Sequence, residues 1–317
     1  MRVMYLKKRT GALILSIVLA LFLAVPVCGA ESAPAQVLQS RNGVVRIVSI
    51  YNGLGWASGT GFVVGTEDDY YVITNHHVTE DSDEVRVAYD TGKYLEAEIY
   101  ADFPEKDLCI LKIKGNKEIP DMQILPLQTE RFDIGAAAYA LGYPGSADLL
   151  AGDLNRDPNE VTADKGSMTI TGGIISAVRG STLIGNRTRE VRVVQSDTAI
   201  NRGNSGGPLL DSNGNVIGIN TVIIVANLDG SPVSGTSGSI HVSELIAELR
   251  EAGIRFYDSV DALDARGRDD LALPEIDDSG NWFTPFIIGV VAVAVVLVVF
   301  ILIIYHKKNK KLESKGQ

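Results

Sequence analysis

Few side chains in this sequence are placed for nucleophilic chemistry, and three short stretches hold them. Gly203-Asn204-Ser205-Gly206-Gly207-Pro208-Leu209 sets a serine among glycines. Glycine tolerates dihedrals that other residues avoid, so the N–H groups of Gly203 and Ser205 can converge beside the Ser205 hydroxyl. Donors so placed could hold the oxyanion of a tetrahedral intermediate. A serine hydroxyl becomes a good nucleophile only when a base takes its proton, and that base needs a third group to orient it. His76 and His77, in Thr74-Asn75-His76-His77-Val78, close an apolar run and offer the base. Asp107 opens the run Leu108-Cys109-Ile110-Leu111-Lys112-Ile113 and offers the orienter. Singly, these are a glycine turn, a strand-end histidine and a cap. Together they make acyl transfer the chemistry to expect.

The glycine-flanked serine also fits the Gly-x-Ser-x-Gly turn of α/β-hydrolases, which runs into a helix and takes its Asp and His from downstream. Here Gly206-Gly207-Pro208 opposes a helix, a strand-like run follows, and the downstream histidine ahead of the C-terminal tail is His241. That reading fails. The order His, Asp, Ser is instead that of chymotrypsin. No Cys or further His lies at ligand spacing from His76, His77 or His241, so no metal and no cofactor is expected. Cys109 reads as a small core residue, with no neighbour to make it a reactive thiol. Cys28 falls in the leader, which leaves no partner for a disulfide.

The elements that must position these groups are short β-type runs: Val44–Ile50, Thr60–Val64, Tyr70–Thr74, Glu84–Tyr89, Leu95–Tyr100 and Leu108–Ile113. A second set comprises Ala136–Leu141, Thr169–Ile175, Val191–Gln195, Pro208–Leu210 and Val216–Ile224. About a dozen strands at this spacing imply barrels or sandwiches, with Pro120–Asp133 as the join between two halves. One helix is expected over 243–252, with Ser243 as its cap, an apolar stripe of Val242, Leu245, Ile246 and Leu249, and Gly253 at its end. The segment Asp148–Lys165 lacks periodicity and reads as a long exposed loop. Within it, Asp153–Asp157 resembles the start of a calcium loop but lacks the glycine and late glutamate, so a plain acidic loop is the reading.

Both ends are non-globular in pattern. Lys7, Lys8 and Arg9, the apolar stretch Ala12–Val27 and Cys28-Gly29-Ala30 lay out a signal peptide over 1–30, or a signal anchor. Residues 257–281, with seven Asp, read as an acidic linker. Phe286–Tyr305 is apolar and uncharged at the length a bilayer needs, so a transmembrane helix is expected over 283–305. Trp282, Phe283 and Tyr305 mark its margins, and the lysines of 306–317 mark a cytoplasmic tail. The chain holds 29 Lys and Arg against 39 Asp and Glu, a net of −10. Setting aside the leader (four Lys/Arg) and the residues after Tyr305 (five Lys, one Glu), residues 31–305 hold 20 basic against 38 acidic side chains, a net of −18. Such a domain repels nucleic acid, which is excluded as a partner.

With these stretches, the chain resembles the bacterial HtrA (Deg) group of trypsin-fold serine proteases. The matching residues are Ser58-Gly59-Thr60-Gly61-Phe62, Thr74–Val78, Asp107–Ile113, Thr171-Gly172-Gly173-Ile174-Ile175-Ser176, Gln195–Leu209 and Ile217–Thr221. The resemblance covers roughly residues 40–250. It implies an all-β protease domain over 31–256, built of two six-stranded antiparallel Greek-key barrels of the chymotrypsin type. Barrel one would span about 40–125 and barrel two about 131–241, with the active site between them. It also implies a triad of His77, Asp107 and Ser205, with Gly203 and Ser205 as the oxyanion hole. The base falls on the fourth residue of the Thr-Asn-x-His-Val motif, which selects His77 over His76.

In this fold the floor of the S1 pocket lies about six residues before the nucleophile, at Ala199, with Ile200 beside it. An acid there would select Lys or Arg; Ala199 implies small or medium apolar P1 residues. Asn204 precedes the serine, so activation by an aspartate paired with a new N-terminus is not expected. Taken with the expected membrane span, the resemblance implies an extracytoplasmic endopeptidase that acts on misfolded or exported polypeptides while anchored to the membrane. Family members usually carry PDZ domains after the protease, whereas here a linker and a membrane helix are expected. The group often trimerises through an N-terminal arm, and the arm here, 31–43, is short. A reading from another class is a quiet chaperone that holds unfolded chains; turnover of casein discriminates the two.

Overall fold

Fourteen strands and four short α-helices are described in this computed structural model, which covers residues 33–258 apart from 53, 117, 130, 152–156, 181, 185–186 and 222–234. The expected leader, most of the linker, the membrane span and the tail lie outside the described residues, as does most of the calcium-loop-like stretch. Among the described residues no helix is long and apolar enough to cross a membrane.

The first six strands are β1 (Val44–Tyr51), β2 (Gly55–Thr66), β3 (Asp69–Thr74), β4 (Glu84–Asp90), β5 (Lys93–Phe103) and β6 (Leu108–Ile113). They close into an antiparallel barrel in the order β1-β2-β3-β6-β5-β4. After the join come β7 (Ala137–Gly142) and β8 (Thr169–Arg179), then a separate hairpin of β9 (Thr182–Ile184) and β10 (Arg187–Arg189). The remaining strands are β11 (Val193–Ser196), β12 (Pro208–Leu210), β13 (Val216–Thr221) and β14 (Ser237–His241). These close with β7 and β8 as β11-β14-β13-β12-β7-β8. Numbered within its own barrel, each set has the order 1-2-3-6-5-4. The two expected antiparallel barrels are therefore present and share one topology.

That topology explains why several strands read as unbroken apolar runs. In β2, β3 and β6 one face fills barrel one (Val63, Val72, Cys109, Leu111). The other face (Phe62, Val64, Ile73, Ile110) packs with barrel-two residues such as Leu141, Val193, Leu210 and Ile219. Strand alternation is thus present, but both faces are dry. Ala138, Ala140, Val194, Leu209 and Ile217 fill barrel two. Between the barrels, Leu125 and Leu127 are fully buried, so the join is held down. The arm forms α1 (Ala35–Gln39), whose Val37 is fully buried against this same core.

Four expectations change. Strand β14 is missing from the sequence reading because Ser237-Gly238-Ser239-Ile240-His241 has a single large apolar residue. It is a strand because β11 and β13 bond to both its edges, and pairing overrides weak propensity. The 148–165 loop is not simply exposed. It begins in α3 (Gly145–Ala151), buries Val161 and Ala163 with Val48 and Ala88, and is tied down through Asp148 and the Thr162 carbonyl to Arg46. Lys165 Nζ donates to Val44 O at 2.9 Å, and burial lowers its pKa to about 8. The C-terminal helix α4 runs Val242–Glu251, and its cap is His241, whose Nδ1 accepts from the Ser243 N–H at 3.0 Å, not the Ser243 side chain. Finally, Tyr257 does not begin a solvated linker. It is buried in barrel one and its carbonyl accepts from Leu127 N–H at 2.8 Å, so the folded domain extends at least that far.

Candidate active site

The histidine turn follows β3 as α2 (His76–Thr79), a single helical turn. The serine stretch connects β11 to β12. Since the barrels share one topology, these are equivalent links, from the third to the fourth strand of each barrel. Asp107 sits in the tight turn between β5 and β6, with φ 55°, a left-handed conformation that aspartate tolerates better than most residues.

Asp107 is placed with few degrees of freedom. Its side chain is 3% exposed, and His77 Nδ1 lies 2.9 and 3.0 Å from its two carboxylate oxygens. The His77 backbone N–H donates to Oδ1 at 3.1 Å. On the other oxygen, Thr221 Oγ1 donates at 2.7 Å from the end of β13. Asn75 Nδ2 donates to the Asp107 carbonyl at 2.9 Å, fixing the main chain as well. Burial by itself would push the carboxyl up, but the His77 and Thr221 hydrogen bonds outweigh it and hold Asp107 below the usual carboxylate range. A buried acid that stays ionised beside a half-exposed imidazole is suited to orienting that ring and to stabilising its protonated form.

His76 goes elsewhere. Its Nδ1 is 2.9 Å from Asp102, and its Nε2 is 3.5 Å from Glu80. Two adjacent histidines thus acquire two different aspartates, and the one paired with the buried Asp107 is His77.

Ser205 is 4% exposed. The Thr60 N–H of β2 donates to its carbonyl at 2.8 Å, crossing from barrel one to barrel two. A Cβ built on Gly59 would meet Val78 Cγ1 at 2.7 Å and Ser205 O at 3.1 Å, so the residue after His77 and the serine backbone converge on the same point of β2. Gly206 has φ +85°, and a Cβ there would come within 2.2 Å of both Thr60 O and Thr74 Oγ1. Its N–H donates to Asn220 O and the Asn220 N–H returns to Gly207 O, both at 2.8 Å. Gly203 has φ +101°, and its carbonyl accepts from Thr60 Oγ1 at 2.6 Å. Ala199 is exposed and its carbonyl accepts from Thr171 Oγ1 at 2.9 Å; Ile200 is half-buried against the barrel-two core.

Cys109 is fully buried, and desolvation pushes its thiol up to about 12, as a core residue requires. A cavity of about 800 Å³ between the join and α4 is lined by Arg131, Phe132, Arg192, His241 and Arg250 among others, and by none of the expected site residues. Thr60, Asn75 and Thr221 are the polar supports that sequence reasoning left without a role. All three stand inside stretches that carried the family resemblance.

The trypsin-like peptidase domain model matches residues 59–219, half of the chain, from the glycine before Thr60 to the middle of β13. The chain belongs to the trypsin-like peptidases. Its similarity to named members is to the HtrA/DegP branch. It is 36% identical over 195 residues to the "Probable periplasmic serine endoprotease DegP-like" of Chlamydia trachomatis, covering 60% of this chain and 31% of that protein. It is 29% identical over 212 residues to the "Serine protease Do-like HtrA" of Lactobacillus helveticus, covering 67% of this chain and 45% of that one. The chain thus spans about a third of the first of these relatives and under half of the second. Among solved structures, this peptidase resembles the Rv3671c protease of M. tuberculosis in its active form, with a TM-score of 0.53 and 26% identity over 71% of this chain and 90% of that one. It also resembles the HtrA-type protease AlgW with a tripeptide, at a TM-score of 0.52 and 26% identity over 70% of this chain and 63% of that one.

Proposed function

We propose that this peptidase is a serine endopeptidase of the HtrA type, with His77, Asp107 and Ser205 as its triad. The observation that carries the reading is the buried Asp107 carboxylate held on His77 Nδ1, next to a serine stretch bonded across the cleft by Thr60. Ser205 Oγ attacks the peptide carbonyl while His77 takes its proton and later passes it to the leaving amine. Asp107 keeps the imidazole in the tautomer whose Nδ1 carries hydrogen and stabilises the imidazolium, without itself becoming protonated. The N–H groups of Gly203 and Ser205 receive the oxyanion. Ala199 and Ile200 line the S1 pocket and admit a small or medium apolar P1 residue.

The substrates are polypeptides, above all misfolded or newly exported chains. The apolar stretch Phe286–Tyr305, with lysines behind it, anchors the enzyme by a single pass, leaving the barrels outside the cytoplasm. The supports for this part are the sequence pattern and the word "periplasmic" in the name of the C. trachomatis relative. Casein turnover by the full chain tests the activity. Wild type should cleave it and Ser205→Ala should be inert; equal turnover by both would sink the triad, and no turnover by either would favour the chaperone reading.

A further inference from the structure

Thr60 belongs to barrel one, yet its polar atoms are bonded to the segments around the serine. Besides the N–H bond to Ser205 O, Thr60 Oγ1 donates to Gly203 O at 2.6 Å and accepts from the Tyr143 N–H at 3.0 Å. Its own carbonyl accepts from Thr74 Oγ1 at 2.8 Å, one residue before Asn75. The residue is fully buried. The hydroxyl is therefore used both as donor and as acceptor, and its burial shields it from bulk solvent.

What this bonding fixes follows from Gly203. At φ +101° a glycine has several accessible neighbouring conformations, so its own sterics do not choose the orientation of the peptides around it. Hydrogen bonds must choose, and two of them are local: the Asn204 N–H donates to Asn201 O and the Gly207 N–H to Asn204 O, both at 3.0 Å. The peptide before Gly203 is held at its carbonyl, where Arg202 O accepts from the Gly145 N–H at 3.1 Å. The peptide after it is held at its N–H by that local turn and at its carbonyl by the Thr60 hydroxyl, the bond that comes from the opposite barrel. The peptide after that carries the Ser205 N–H. Both proposed oxyanion donors thus hang from a segment clamped on one side by Thr60 and on the other by the Tyr143–Gly145 turn. Thr60 also joins these clamps, because Tyr143 donates to the same oxygen.

We infer that the Thr60 hydroxyl is a positioning residue for the oxyanion site, setting the Gly203 and Ser205 N–H groups from the opposite barrel. The inference rests on the serine-peptidase reading above and adds a residue to it. It predicts a deficit confined to the tetrahedral state. A peptide aldehyde ending in valine probes that state directly: Ser205 Oγ adds to the aldehyde carbon, its proton passes to His77 and on to the new oxygen, and no group leaves. The corresponding peptide alcohol binds without forming a bond to Ser205.

The full-length chain is compared as wild type, Thr60→Val, Thr60→Ser and Ser205→Ala. Thr60→Val should lower kcat about tenfold or more, less than the hundredfold-or-greater loss typical of deleting a donor outright. KM and alcohol affinity should stay within about threefold, aldehyde affinity should fall with kcat, and Thr60→Ser should restore most of the loss. A Thr60→Val kcat within twofold of wild type overturns the inference. So does an alcohol affinity that falls as far as the aldehyde affinity, which would mark a structural role. If Thr60→Val does not fold, Thr60→Ala against Thr60→Ser decides: equal kcat in the two overturns the inference, and recovery in serine alone upholds it. Hydrolysis persisting in Ser205→Ala would instead remove the underlying triad reading, whatever Thr60 does.

Discussion

Thr221 Oγ1 donates to Asp107 Oδ2 at 2.7 Å, and the two residues belong to different barrels. Barrel one supplies the acid and the imidazole it orients. Barrel two supplies the hydroxyl that occupies the other carboxylate oxygen. The relative placement of the barrels is thereby built into the Asp107–His77 pair. Thr221→Val should leave that carboxylate oxygen without its buried donor. A hydrogen bond to a charged group contributes roughly 1.5–3 kcal/mol, so kcat should fall about tenfold to a hundredfold, still well short of the ~10⁴ that replacing the aspartate, as in Asp107→Asn, costs. Steady-state kinetics of both variants on one peptide substrate give the comparison, and an unchanged kcat in Thr221→Val would show that the hydroxyl is dispensable.

The two neighbouring histidines should separate cleanly. His77→Ala should abolish cleavage. His76→Ala should retain most of it, because its partners Asp102 and Glu80 are surface carboxylates. Its effect on stability should stay within about 1 kcal/mol, because both partner carboxylates remain open to water although the imidazole itself is mostly covered. Casein turnover and urea unfolding of both variants measure this, and an inactive His76→Ala would reverse the assignment of the base.

His241 should make the domain acid-labile over a definite window. Burial and the neighbouring Arg192 lower its pKa to about 4, and its Nδ1 must be unprotonated to cap α4. The unfolded chain, with a histidine near 6.5, then binds more protons than the folded one between those values. The stability His241 contributes is present above pH 6.5 and is lost as pH falls towards 4. The ring is partly in contact with solvent, so the loss should be about 2 kcal/mol or less. In urea titrations from pH 7 to 4, His241→Asn, which keeps a capping side chain, should show a shallower decline than wild type; parallel curves would exclude the histidine as the cause.

The anchor proposed at 286–305 should supply location and not competence. A protein truncated after Asp258 retains the buried Tyr257 and should cleave casein with the specific activity of the full chain in detergent. A truncated protein that is folded by circular dichroism but inert would show that the residues removed, or assembly through them, activate the site. Protease added to intact cells should digest the barrels and spare an epitope placed after Lys311, and the reverse pattern would invert the topology.

The chemistry was legible from residue types alone. A serine needs glycines around it, a base and an orienting acid, and the sequence places these in one order along the chain. Short β-type runs marked eleven of the twelve barrel strands, most clearly in β2, β3 and β6, where burial on both faces writes itself as near-continuous apolar sequence. Other features depended on partners distant in sequence. Strand β14 exists because two neighbours bond to it, His241 caps α4 through ring geometry, and the 148–165 segment is held by Arg46 and Val44 about a hundred residues away. Tyr257 looked like the start of an acidic stretch until barrel one closed over it. The same holds for Thr60 and Thr221. A hydroxyl in an apolar strand has no local signature of its role, because that role is set by which carbonyl or carboxylate the other barrel brings within about 3 Å. The sequence therefore marked the groups proposed as catalytic, and the packing of one barrel on the other decided what holds them in place.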